Sequence, residues 1–237
     1  MQGQCTEQAA GWRQEHVTMA AAQSESPVIE GVRSLEVRWI FPGQLEAAVA
    51  GWFGRFPARV ESREDCYLLD PQLRGLSVKV RGGGALEVKV YRGSPGILEV
   101  PGRARGRLES WQKWSFPCGP LSLDSVDPAG WRPVTKRRRI SQFSRASGRI
   151  VARATGLRGE PGCEVELTAV RTRGQDWWTL GFEATGPAEL LRTELEATAA
   201  LVFAQVLPGG VAPGPDDSRS YAGWLGRPPG AESDADA

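Results

Sequence analysis

The chain has 237 residues, 41% of them hydrophobic, with 29 Lys and Arg against 28 Asp and Glu. That length fits one domain with tails, and the apolar share suffices for a sizeable core. A net charge of +1 offers no whole-chain attraction for nucleic acid or an anionic membrane, and no apolar run approaches the ~18 residues of a spanning helix.

The opening residues lack the basic start and apolar stretch of a secretory signal. Residues 1–30 are rich in Gln, Ala, Ser and Glu, and read as a disordered leader. The only histidine, His16, lies there. A Ser-His-Asp or Cys-His triad, or a histidine-based zinc site, would have to use it, so these mechanisms are not expected. Cys5, Cys66, Cys118 and Cys163 are far apart and form no CxxC. They read as reduced thiols of a cytoplasmic protein. Only four of the basic residues are lysines: Lys79, Lys89, Lys113 and Lys136.

The folded part is expected over 31–207. Leu35 to Phe41 alternates, with apolar odd positions opposite Glu36 and Arg38. Gln44 to Phe53 has Leu45, Ala48, Val49 and Trp52 on one helical face. Leu76 to Arg81 and Leu86 to Tyr91 alternate on either side of Gly82-Gly83-Gly84 and predict a hairpin. That glycine run lacks the GxxxxGK[ST] pattern and is not a phosphate loop. Arg103, Arg105 and Arg107 alternate among glycines that suggest a loop. Trp111 and Trp114 have the spacing of one helical face. Pro133 to Arg138, Gly148 to Thr155, Cys163 to Leu167 and Trp178 to Glu183 complete seven or eight strands. Of Lys136 to Arg139, a strand would place only Lys136 and Arg138 on one face, which argues against a nucleic-acid patch. Pro187 to Val206 reads as a helix ended by Pro208-Gly209-Gly210. Residues 208–237 read as a Gly/Pro-rich acidic tail in which Tyr221 and Trp224 are the residues able to dock.

The faces opposite the apolar positions are charged throughout: Glu36, Arg38, Lys79, Arg81, Glu87, Lys89, Lys136, Arg138, Glu164, Glu166 and Glu183. In an open sheet these form a solvated surface. In a closed barrel they line the interior, with the apolar face turned outward beneath the helices. Lys and Arg suit phosphate oxygens, and clustered Glu suits a hard divalent ion.

In four segments, in order, the chain resembles the CYTH superfamily, the triphosphate tunnel fold. Glu36 to Phe41 stands where that family carries its opening ExExK strand. Tyr67-Leu68-Leu69-Asp70-Pro71 through Leu76 to Arg81 is similar to YxDTP…LRxR, and Leu86 to Lys89 to the LxxK strand that follows it. Lys136-Arg137-Arg138 is similar to the central KxR strand. Glu164-Val165-Glu166 with Trp178 to Gly186 is similar to the acidic strands that lead into the last helix. The resemblance covers about 33–206. It implies an α+β fold, an antiparallel β-barrel or tunnel of about eight strands with helices packed outside.

The resemblance also implies a triphosphate-bearing small molecule as partner; the charge balance and the alternation of Lys136 to Arg139 give no reason to expect a membrane or nucleic-acid role. Phosphate would be held by Arg38, Lys79, Arg81, Lys89, Lys136 and Arg138. Mg²⁺ or Mn²⁺ would sit on Glu36, Glu164, Glu166 and Glu183, with Glu36, Glu164 and Glu166 catalytic. The chain departs from the family at its opening motif, which reads Glu36, Arg38 and Ile40, or Ser34, Glu36 and Arg38 if the alignment is shifted by two residues; either way one carboxylate is missing. In the first alignment a carboxylate has become a cation, which weakens metal binding through like-charge repulsion. Three readings follow: a polyphosphate binder with little or no catalysis, a metal-dependent triphosphatase, and a non-catalytic interaction scaffold.

Overall fold

The computed structural model describes residues 31–82, 84–117, 130–155 and 160–226. The leader 1–30 with His16 and Cys5, the end of the tail from 227, Gly83 and Cys118 lie outside the described residues.

Eight antiparallel strands close on one another. They are β1 (Val32–Pro42), β2 (Arg59–Leu68), β3 (Leu76–Arg81), β4 (Ala85–Gly93), β7 (Glu109–Pro117), β8 (Trp131–Ala146), β10 (Gly162–Thr172) and β11 (Gln175–Thr185). Their order is β10-β11-β1-β7-β4-β3-β2-β8, and β8 pairs back onto β10. β9 (Arg149–Arg153) extends the β8 edge, and β5 (Ile97–Val100) with β6 (Ala104–Arg107) forms a separate hairpin.

The barrel is inverted relative to a packed one. Leu35, Val37, Trp39 and Phe41 of β1 point outward with Val165, Leu167, Leu180 and Phe182, and form the main apolar core beneath the helices. α1 (Ala47–Phe53) and α2 (Ala188–Val202) bury Val49, Trp52, Phe53, Leu191, Leu195 and Ala199 against them. Trp39 is fully buried, edge-on to Phe182 at 6.0 Å and to Phe203 at 5.9 Å. Its indole donates to the Arg105 carbonyl at 2.8 Å. Closure follows from this core: strands whose apolar face is already covered outside leave their charged face no place but the lumen.

Some elements differ from the sequence expectation. α1 starts at Ala47, because the Gln44 amide bonds Asp176 at 3.1 Å instead of entering a helical turn. α2 stops at Val202, where Phe203 tucks into the core. Glu109 to Pro117 is a strand, so Trp111 and Trp114 point to opposite faces and not along one helical stripe. Arg103 to Arg107, read as a loop, includes β6, which lies outside the barrel. A Cβ at Gly106 would stand 2.6 Å from both Trp39 and Val37, so that glycine lets the hairpin lie on β1.

The largest difference is at the C-terminal end. β1 pairs with β7 only from Val32 to Glu36. Beyond that point the segment read as a tail takes over: Ile40 N–H donates to the Asp217 carbonyl at 3.0 Å, and Arg219 N–H to the Arg38 carbonyl at 2.9 Å. The chain then turns into α3 (Tyr221–Leu225), capped by the Ser220 side chain, which accepts from Gly223 N–H. Tyr221 and Leu225 are buried with Tyr67, Val134 and Val170 in a second apolar cluster.

Candidate functional site

The barrel encloses a polar cavity of about 220 Å³. Every one of the ten site residues expected from sequence lines it: Glu36, Arg38, Lys79, Arg81, Lys89, Lys136, Arg138, Glu164, Glu166 and Glu183. Period-two alternation carries them there, because each lies on the same face of its strand as its neighbours two residues away. Arg137 and Arg139 fall on the other face.

The lining holds nine cations and six carboxylates. Arg59, Arg63 and Lys113 complete the cations; Glu87 and Glu109 complete the carboxylates. Sequence reasoning missed Arg59, Arg63 and Asp65 because β2 has no apolar face to set a period: Val60 and Ser62 on its outside are uncovered. Lys113 and Glu109 were hidden by the helical reading of β7.

The interior runs from a deeply buried base to a more exposed mouth. At the base, the Lys136 ammonium lies 2.9 Å from Asp65 and 2.7 Å from the Tyr67 hydroxyl, with side chains 2% and 0% exposed for Lys136 and Asp65. Lys79 also reaches Asp65, at 3.2 Å, and Glu87, at 2.9 Å. Further up, Arg38 donates to Glu166 at 3.2 Å and to Thr179 at 3.1 Å. Arg138 bonds Glu166, Glu61 and Glu164. Lys89 sits 2.6 Å from Glu36 and 3.7 Å from Glu183. Near the mouth, Arg81 meets Glu87 at 2.8 Å, Arg59 meets Glu164 at 3.3 Å, and Lys113 meets Glu183 at 3.1 Å. Arg81 and Arg59 are 39% and 34% exposed, so solvent reaches this end.

Charge placement sets the protonation states. Burial opposes ionisation of Glu87, but Lys79 and Arg81 outweigh it and hold its pKa at about 2. Burial likewise opposes the charged forms of Asp65, Glu166 and Glu183, and their lysine and arginine partners lower all three. Two carboxyls go the other way. Burial raises Glu164, with Glu166 and Glu183 adding repulsion. Burial also raises Glu109, with Glu36 nearby. Burial and the adjacent Lys79 hold Lys136 well below an ordinary lysine.

A divalent ion needs several oxygens free to turn toward it. Here Glu166 is taken by Arg38, Arg138 and Thr168, Glu183 by Lys113 and Lys89, Glu36 by Lys89 and Ser34, and Glu164 by Arg59, Arg138 and Gln142. Among the described residues no cluster of three or more acidic, His or Cys side chains is placed to hold a metal. The four carboxylates, as placed, do not fit the ion that the resemblance implies.

No helix of the described residues is long and apolar enough to cross a membrane. No family model matches the chain, and no curated protein matches it in sequence. Solved structures do resemble it. A conserved hypothetical protein from Pyrococcus furiosus is 16% identical, with a TM-score of 0.40 over 79% of this chain and 98% of that one. The Pct1 RNA triphosphatase of Schizosaccharomyces pombe is 10% identical, with a TM-score of 0.37 over 75% of this chain and 82% of its own. The Hippeastrum protein HpAC1, described as a putative adenylyl cyclase with dominant triphosphatase activity, is 7% identical, with a TM-score of 0.35 over 76% and 92%. The fold itself is a closed eight-stranded antiparallel barrel with its charged face inward and its helices outside, the architecture expected from the resemblance to the CYTH superfamily.

Proposed function

We propose that the barrel interior binds a small anion bearing a short run of phosphates, with little or no hydrolysis. One observation carries this reading: nine cations converge on a single cavity lined by six carboxylates, and they still outnumber the acids when Asp65 and Glu61, which pair with those cations, are counted. Buried ion pairs are inefficient stabilisers, since an apolar filling of the same volume is often as stable or more so. A lumen kept charged and still hollow therefore points to a ligand. Planar guanidinium groups and lysine ammoniums match phosphate oxygens. Arg59, Arg81 and Lys113 meet the ligand first at the mouth, and Lys89, Lys79, Arg38 and Arg138 are available deeper in. The cavity lies below the roughly 300–1,000 Å³ of sites that engulf drug-sized ligands. It suits a few phosphates, with any attached organic group left outside.

The weak-catalysis part of the proposal rests on the same pairings. The opening motif lacks one carboxylate and carries Arg38, and no carboxylate among those lining the cavity is free of a donor or cation. A cytoplasmic setting is part of the proposal, supported by Cys66 and Cys163, which are free and buried.

The test is calorimetry and thermal shift on the full chain with inorganic tripolyphosphate, with and without Mg²⁺ or Mn²⁺, alongside phosphate release. Stabilisation without turnover is expected. Metal-dependent release abolished by Glu166→Gln would replace the binder with a triphosphatase. Neither effect would leave an interaction scaffold.

A further inference from the structure

The geometry points to a blind pocket: α3 seals one end of the barrel, and Tyr221 is the stop against which a bound phosphate chain ends. The ligand then enters end-on, by a terminal phosphate, and cannot thread through. This inference rests on the reading of the cavity as a phosphate site and adds which ligands it admits.

Several independent contacts put Tyr221 across the base. Its ring stacks on Tyr67 with centroids 5.7 Å apart. The Lys136 ammonium lies over that ring at 3.9 Å, and the Arg38 guanidinium at 4.8 Å. Its hydroxyl is 3.3 Å from the Thr179 hydroxyl. The ring is thus wedged among side chains of β1, β2, β8 and β11, which lie around the lumen. Behind it, Trp224 packs on Trp177 at 5.1 Å, and the Arg173 guanidinium holds the Leu225 carbonyl at 2.7 Å. The approach to α3 is pinned as well, by Arg107 N–H on the Ser218 hydroxyl at 2.9 Å and Arg105 N–H on the Pro213 carbonyl at 2.8 Å. A segment tied at this many points is a floor and not a swinging lid. The exposure gradient agrees, from Lys136 at 2% beside the floor to Arg81 at 39% at the other end.

The consequence is countable. A pocket that takes only chain ends offers a long linear polyphosphate no more ways to bind than a short one. An open tunnel offers one register per internal unit, so affinity per chain grows with length.

The experiment measures affinity per chain on the full protein for tripolyphosphate, long-chain polyphosphate and cyclic trimetaphosphate, at high ionic strength to screen long-range attraction. The wild type is expected to bind both linear chains alike and the ring, which has no end, roughly tenfold or more weakly. Tyr221→Ala should bind the long chain more tightly than tripolyphosphate. An Ala variant that folds and still treats both chains alike overturns Tyr221 as the stop. Wild-type affinity that rises with chain length overturns the closed floor while leaving the phosphate site standing, and needs no variant. Failure of wild type to bind tripolyphosphate overturns the phosphate site, and the inference with it.

Discussion

Arg38 lies flat against Gly181. The two residues face each other in the β1–β11 register, and a Cβ at position 181 would stand 2.7 Å from the guanidinium carbon. The glycine makes the space in which an internal cation rests between Glu166 and Thr179. Gly181→Ala is therefore expected to push Arg38 off its partners and destabilise the barrel by about 1–3 kcal/mol, the usual cost of overpacking. Most of that loss should disappear in an Arg38→Ala background. A double-mutant cycle by denaturant melts measures the coupling.

Gly106→Ala serves as a contrast. The added methyl meets Trp39 and Val37 outside the barrel, so the melting temperature should fall while tripolyphosphate affinity per folded molecule stays unchanged. A fall in that affinity would mean that the outer core also shapes the lumen.

Acid should destabilise the protein through its paired carboxylates. The Glu87 pKa is lowered in the folded chain, so its contribution is fully present above the unfolded value of roughly 4.3 and is lost as pH falls toward about 2. Asp65, Glu166 and Glu183 share the direction. Chemical melts as pH is lowered should show stability declining progressively from about pH 5 downward, through the ordinary carboxylate range and below it. In Glu87→Gln, that decline should be shallower and the neutral-pH stability lower.

Anion affinity should move the other way with pH. Glu109 and Glu164 have raised pKa values, so they take up protons first as pH falls. Each proton removes a negative charge from the lining and strengthens anion binding. Sulfate titrations, with a probe whose own charge is constant over the range, should show tighter binding toward acid pH. Glu164→Gln should bind more tightly at neutral pH and show a flatter profile.

Mn²⁺ added without phosphate is expected to leave the melting temperature unchanged, because the inward carboxylates already hold lysine, arginine or hydroxyl partners. A saturable rise in thermal shift would show that the ion can displace those partners.

Much of the barrel was legible along the chain. Where one face of a strand is buried under a helix, as in β1 or β11, alternation of apolar and charged residues marks both the strand and its inward side. That is why Glu36, Arg38, Glu166 and Glu183 are recognisable from the chain alone. β2 carried no such mark, since its outer face is bare, and Asp65 at the base went unseen. β7 misled because Trp111 faces the cavity, where its indole donates to Glu109 at 3.0 Å, so an aromatic at an inward position broke the period.

Local patterning thus settles which residues share a face, because neighbouring side chains on a strand must alternate. It cannot say which cation meets which carboxylate, since Lys136 and Asp65 are 71 positions apart and only barrel closure brings them to 2.9 Å. The same holds for the C-terminal segment. Its Gly, Pro and Asp content read as a tail because those residues bury little of themselves. It is ordered by backbone groups of β1 left without a strand partner beyond Glu36, a vacancy that exists only once the barrel has formed. The near-zero net charge with which the chain presents itself is likewise an average: folding gathers charges of both signs into one lumen, where cations outnumber carboxylates.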